Sequence, residues 1–250
     1  MSQSTYIVTT ATRPTQAQLA RAAQVAARCG APLVERRRGL RRHLSDEGAA
    51  LAYVVGRHRD QLSNGEASLF VHAGLLEARL GSGLDHPLIR AVTGGRPARR
   101  LIDGTLGLAI DALHLAEATG AEVLAIEYAP AIRSLCEEGL RRLATRWPGA
   151  HRVRVWGGNT LDVLRMLPPD HADGVFLAPM FDEPAAAAPG WDLLRPLALH
   201  APLTEDTVEQ ALRVAPRVAV KLSPADDVPT FLRGAEVVRS KALRYAVLSR

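Results

Sequence analysis

The apolar positions change period several times along the chain, and each change marks an element. "YIVTT" (Tyr6–Thr10) is a β-branched run that predicts a strand. After Pro14, "PTQAQLARAAQVAARCG" carries apolar residues at helical spacing, and Gly30 supplies the stop. "PLVE" predicts a short strand. "ALAYVV" (50–55) and "SLFVH" (68–72) predict two more, joined by a turn around Ser63, Asn64 and Gly65. These elements form a small α/β subdomain over residues 1–85.

From about Arg99 the alternation becomes regular. "RLID" and "EVLAIE" are apolar strands that each end in an acid, and each precedes a helical segment, stopped at Gly120 and at Pro148-Gly149. "HRVRVWGGN", "DGVFLAP" and "RVAVKLS" continue the series of strands. "TLDVLRMLP" and residues 204–215 are helical, the latter with a capped start in "TEDTVEQAL". "AEVVRSKALRYAVLS" predicts two strands around a tight turn near Ser240-Lys241. Strands alternating with helices call for a parallel sheet covered on both faces. The closing hairpin reverses one strand. Residues 86–250 are therefore expected to form a doubly wound α/β domain, with "EPAAAAPGW" as a loop.

Composition narrows this picture. Aromatic residues make up only 4% of 250, so the core must be built from Ala, Leu and Val. No window approaches the ~20 apolar residues of a membrane span. The N-terminus shows no basic region followed by an apolar stretch, and Cys29 and Cys136 are too far apart for metal-ligand spacing, so a cytoplasmic protein with reduced thiols and no metal is expected. The formal charge is +5, unevenly placed. Residues 1–85 hold 11 Arg against 7 Asp and Glu, whereas residues 86–250 hold 20 Lys and Arg against 19. "ERRRGLRRH" (Arg36, Arg37, Arg38, Arg41, Arg42, His43) and "GRHRD" (Arg57, His58, Arg59) concentrate the excess, as expected of a face that attracts phosphate backbones.

Candidate chemistry lies where an open α/β sheet binds ligands, at the carboxyl ends of its strands. Asp103 ends the first strand, and Gly104 and Gly107 allow a tight turn with close backbone approach. The spacing is neither that of a dinucleotide fingerprint nor that of a P-loop. An acid beside the turn repels phosphate and suits an amine-bearing ligand. Glu127 ends the next strand, where an acid accepts both hydroxyls of a ribose. Asn159 and Thr160 follow the third strand and can reach an adenine edge. Ala178, Pro179, Met180 and Phe181 follow the fourth. Together these predict a nucleoside ligand, and the missing phosphate loop favours S-adenosylmethionine.

The segment from about Phe70 to Val247 resembles the class I methyltransferase family of ribosomal RNA small-subunit methyltransferase J and related RNA methyltransferases. Its Asp-x-Thr-x-Gly-Leu-x-x-Asp turn is matched by Asp103, Thr105, Gly107, Leu108 and Asp111. His72 and Arg79 in "FVHAGLLEARL" match a segment that precedes the cofactor domain in some relatives, with Ala73 where those have Pro. The resemblance implies a Rossmann-like sheet and S-adenosylmethionine held by the turn from Asp103 to Asp111 (Gly104 and Ile110 included), by Glu127 and Tyr128, and by Asn159 and Thr160. It implies methyl transfer to the exocyclic amine of a guanine in ribosomal RNA of the small subunit, with Pro179 and Phe181 shaping and stacking the base. The family has Asp at the start of the fourth loop. This chain has Ala178, which loses one charge-assisted hydrogen bond and leaves only the carbonyl to accept from the amine. Two further readings stay open on that departure: a cofactor- or RNA-binding protein with impaired catalysis, and a small-molecule methyltransferase. Lys221, at the end of "RVAVKLS", is a further candidate contact to substrate.

Overall fold

The computed structural model describes residues 6–74, 76–179, 191–198, 202–223, 228–240 and 243–250. A four-stranded sheet opens the chain. It contains β1 (Tyr6–Thr10), β2 (Leu51–Val55), β3 (Gln61–Ser63) and β4 (Ser68–Leu69) in that spatial order, with β1 and β2 parallel and the rest antiparallel. Between β1 and β2 run α1 (Gln16–Cys29) and α2 (Leu40–Glu47). Thr15 and Gln18 form a reciprocal capping box at the start of α1, and Gly30 ends it in the left-handed conformation at φ 60°. Two short helices follow, α3 (Leu76–Leu80) and α4 (Pro87–Thr93).

The second sheet has seven strands. They are β5 (Arg100–Asp103), β6 (Glu122–Glu127), β7 (Val153–Gly157), β8 (Gly174–Leu177), β9 (Arg217–Leu222), β10 (Glu236–Arg239) and β11 (Arg244–Ser249). The spatial order is β10-β11-β9-β8-β5-β6-β7, and only β11 runs against its neighbours. The helices between them are α5 (Ile110–Thr119), α6 (Pro130–Leu143), α7 (Thr160–Met166), α8 (Trp191–Leu194) and α9 (Glu205–Val214). Strand order reverses between β5 and β8, which places a crevice at their carboxyl ends.

One apolar core joins both sheets. Val8, Tyr53 and Leu62 of the first share it with Leu101 and Phe176 of the second and with Leu113 and Leu135 of the helices that cover it. Helix α1 packs on α6, and Arg28 pairs with Glu137 across that contact. A second cluster, built on Ile102, Val175, Val218 and Val220, fills the opposite face of the large sheet.

Several local expectations change. "PLVE" contributes only a bridge between Leu33 and Val8, because two backbone bonds (Val8 N–H to Pro32, Val34 N–H to Val8) are all that it makes with β1. Residues 68–72 are strand only at Ser68–Leu69, and β3 intervenes, so the turn at Asn64 joins β3 to β4. Trp156 stands 52% exposed on the edge strand β7. Helix α2 is short and Arg-rich, with only His43 and Leu44 buried, so its apolar period is too sparse to read from sequence. Among the described residues, no helix is long and apolar enough to cross a membrane, and no group of His, Cys, Asp or Glu is placed to hold a metal ion.

Candidate functional site

Four strand ends meet at the crevice. At the first, Asp103 is fully buried. Its Oδ1 accepts the Thr105 N–H at 3.0 Å, while Oδ2 is buried with no partner. Burial raises this carboxyl to about 7, and the charges of Asp111 and Glu127 add to the rise. Gly104 permits the chain to pass close to its neighbours. A Cβ there would stand 2.6 Å from Leu177 Cδ2 and 2.8 Å from Thr160 Cγ2. The turn then coils through Gly107 (φ 52°) and Ala109 (φ 64°), two left-handed residues in three, before α5 begins. Cys136 on α6 donates its thiol to the Gly107 carbonyl at 3.1 Å.

At the second strand end, the Glu127 carboxylate accepts the Ala129 N–H at 2.8 Å. Burial raises it to about 7, against the pull of backbone N–H groups at Ala129, Gly107 and Tyr128. Tyr128 points outward and is 54% exposed. At the third, Asn159 caps α7 by accepting the Leu161 N–H at 2.9 Å, and the Thr160 hydroxyl donates to the Gly104 carbonyl. At the fourth, the Ala178 N–H donates to Thr105 Oγ1 at 2.6 Å, which ties the β8 loop to the first turn. Pro179 is half-buried beyond it. Met180, Phe181 and Asp182 lie outside the described residues.

The structure thus brings Asp103, Gly104, Thr105, Gly107, Glu127, Thr160 and Ala178 into one bonded constellation. Two residues at the end of the turn have side chains engaged elsewhere. Ile110 turns its side chain into the core. Asp111 is already committed: Oδ1 takes Arg79 at 2.7 Å and Oδ2 takes Lys221 at 3.2 Å. Burial would raise its pKa, but the two cations dominate and hold it at about 2. Arg79 and Lys221 were separate candidates in the sequence, 142 residues apart, and only the fold shows that they share one carboxylate. His114 escaped the sequence reading altogether. It is fully buried on α5, three residues past Asp111, with neither ring nitrogen hydrogen-bonded and its ring edge-on to His86 at 4.4 Å. Burial, the His86 ring and Arg79 lower it to about 3, so it is neutral.

Residues 56–245 match the family described as "Putative SAM-dependent methyltransferase". The chain belongs to this S-adenosylmethionine-dependent methyltransferase family. It is 30% identical over 235 residues to ribosomal RNA small subunit methyltransferase J of Pseudomonas syringae pv. syringae, covering 90% of this chain and 86% of that one. It is 29% identical over 224 residues to the uncharacterized protein YpiP of Bacillus subtilis, covering 86% and 87%. Among solved structures, it matches a SAM-dependent methyltransferase from Neisseria gonorrhoeae with a TM-score of 0.67 at 19% identity, covering 97% of this chain and 95% of that chain. That likeness shows the Rossmann-like class I fold. The protein is a methyltransferase that depends on S-adenosylmethionine, as its family is.

Proposed function

We propose that this methyltransferase binds S-adenosylmethionine in the crevice between β5 and β8 and methylates a guanine amine in small-subunit ribosomal RNA. The observation that carries the reading is the buried Asp103 Oδ2, an acceptor without a partner, beside a turn in which Gly104 packs too tightly against Leu177 and Thr160 to admit a Cβ. A buried unpaired carboxylate oxygen is costly, and a ligand amine or hydroxyl offsets that cost. Glu127 stands at the second strand end, where it accepts ribose hydroxyls once ionised. Asn159 and Thr160 border the base side, and the turn from Asp103 to Asp111 closes over the rest.

The cofactor supplies an electrophilic methyl group on its sulfonium. The chain supplies position. The Ala178 carbonyl accepts one N–H of the target amine, Pro179 holds the loop stiff, and Phe181 stacks on the base. Thr105 fixes where that carbonyl stands by holding the Ala178 N–H. Orientation of this kind accounts for most of the rate that such a site can provide, with no covalent intermediate on the protein. The RNA assignment is supported by the names of relatives such as the Pseudomonas syringae protein and by the arginine excess over residues 1–85.

One observation favours a second reading. Ala178 brings no side-chain acceptor to the amine, and its N–H is already spent on Thr105. The chain would then bind cofactor and RNA with little transfer. The test is incubation with tritium-labelled S-adenosylmethionine and small ribosomal subunits lacking the modification, followed by nucleoside analysis, for the native chain and Ala178→Asp. Label in methylguanosine with the native chain supports the leading reading. Label only with Ala178→Asp supports the second. Label in neither, with cofactor binding intact, removes ribosomal RNA as the substrate.

A further inference from the structure

The clustered arginines of the N-terminal subdomain lie outside its strands, around α2 and in the turn after β2, and do not act as one patch. In "ERRRGLRRH", Arg37 pairs with Glu35 at 3.0 Å, Arg38 with Asp46 at 3.7 Å and Arg41 with Glu66 at 3.1 Å. These cations are largely neutralised by neighbours. Arg36 differs. It is half-buried, its Nε is buried with no hydrogen-bond partner, and burial lowers its pKa. It lines a concavity of about 360 Å³ with Ala11, Gly56, Arg57, His58 and Arg59. Ala11 follows the end of β1 and Gly56 the end of β2, so the hollow opens at the carboxyl ends of two parallel strands. That is where α/β topology leaves a crevice, here in the smaller sheet. No acid lines it.

The rim is also rigid. A Cβ on Gly56 would stand 2.1 Å from the Arg59 carbonyl oxygen, so the 56–59 turn closes only with glycine. Arg59 lies flat over the Phe70 ring at 3.6 Å. Asp60, next in the chain, is anchored by Arg21 at 2.7 Å and by the Tyr53 hydroxyl at 2.8 Å, and its N–H donates to Glu138 on α6 at 3.3 Å. Glu138 lies eight residues past Pro130, where α6 leaves the cofactor crevice, which is about 12 Å along the helix. The hollow is therefore fixed to the methyltransferase sheet at a set distance from the candidate site.

We infer that the hollow bounded by Arg36, Arg57, His58 and Arg59 is a phosphate site that grips the RNA backbone away from the target base. This rests on the RNA reading above and deepens it: the grip comes from the strand-end hollow and not from the α2 arginines. An unpaired, partly desolvated guanidinium that shares its hollow with two other arginines and no acid lacks a counter-charge, and a phosphate supplies it through charge-assisted hydrogen bonds.

The test is fluorescence anisotropy of the full chain with a labelled single-stranded RNA, titrated at several salt concentrations. Arg36→Met with Arg57→Ala is compared with Arg37→Ala with Arg38→Ala, and S-adenosylmethionine binding and thermal melting serve as fold controls. Arg57→Ala alone, at an exposed position, is the second variant should Arg36 prove structural. The hollow variant is expected to bind RNA roughly ten- to a hundred-fold more weakly. Its slope of log affinity against log salt should flatten by about 0.7 for each phosphate that the protein no longer neutralises. The Arg37/Arg38 pair should change binding less than about twofold, as exposed ion pairs do. Equal losses from the two pairs, or an unchanged slope in the hollow variant, overturn the inference. Inorganic phosphate or a mononucleotide that binds the hollow tightly without being displaced by RNA also overturns it, in favour of a free-phosphate site. A native chain that binds no RNA at low salt while binding S-adenosylmethionine fails the RNA reading itself, which separates the two failures.

Discussion

Thr105 Oγ1 accepts the N–H of Ala178 at 2.6 Å, so the turn after β5 carries the loop after β8. Residues 73 positions apart thereby set one another's place at the point where strand order reverses. Thr105 is itself held, because its N–H donates to Asp103. The turn after β5 and the loop after β8 thus meet at one residue, Thr105.

Thr105→Val keeps the shape and removes the acceptor. It leaves a half-buried N–H unpaired, at a cost of about 1–3 kcal/mol in urea unfolding. Methyl transfer should fall by about ten- to a hundred-fold through misplacement of the loop, with a smaller loss of cofactor affinity. Thr105→Ser should restore both. A valine variant with native transfer rates removes this hydrogen bond from the account.

Asp111 joins α5 to both Arg79 and Lys221, and losing its charge leaves two cations facing each other. Asp111→Asn should destabilise the chain by about 1–3 kcal/mol, less than a fully buried pair because all three groups keep some exposure. Its carboxyl stays ionised down to about pH 2, against 3.8 unfolded, so the stabilisation is full above the unfolded value and is lost as pH falls through that window. Urea midpoints that match for native and Asn variant at neutral pH contradict this role.

His114 titrates at about 3 when folded and at 6.5 when unfolded. The unfolded chain binds the extra proton between those values, so stability falls as pH drops from 6.5 toward 3, by up to about 1.4 kcal/mol per pH unit for one proton. His114→Leu removes that proton and two unpaired ring nitrogens. Its stability should equal or exceed that of the native chain at neutral pH, and the difference should widen in acid. Parallel pH profiles for the two chains rule out the neutral, buried histidine.

Asp103 and Glu127 both rise to about 7, each chiefly by burial. In the proposed function the ionised forms accept from a ligand amine and from ribose hydroxyls. Association with S-adenosylmethionine should therefore tighten from about pH 6 to about pH 8 and level off above, releasing protons at the lower end. Calorimetry in two buffers of different ionisation enthalpy measures the release. An affinity independent of pH across that range contradicts the placement of ligand against these acids.

The sequence made the large sheet legible because its central strands carried apolar runs and alternated with helical segments, and because β5 and β6 each ended in an acid. Asp103 and Glu127 were visible for that reason, Asn159 and Ala178 from their places just past the next two strands, and the reversed last strand followed from the hairpin at the end of the chain. The first sheet was less legible. Strand β3 is three residues long and β4 two, too short to show a period. Long-range pairings were not visible at all. Nothing local says that Arg79 and Lys221 meet at Asp111, or that Thr105 holds Ala178. Nor does a run of arginines reveal that three are paired with nearby acids while Arg36 turns into a hollow. Those facts come from topology, which brings strand ends together irrespective of their separation in the chain.

The most direct test of the central claim is a calorimetric titration of the full chain with S-adenosylmethionine, repeated with Glu127→Ala. The account predicts saturable binding by the native chain, weakened about tenfold or more by the substitution because charge-assisted hydrogen bonds to the ligand are lost. Equal affinity in the two proteins, or no binding at millimolar ligand, would contradict a cofactor held at the carboxyl ends of β5 and β6.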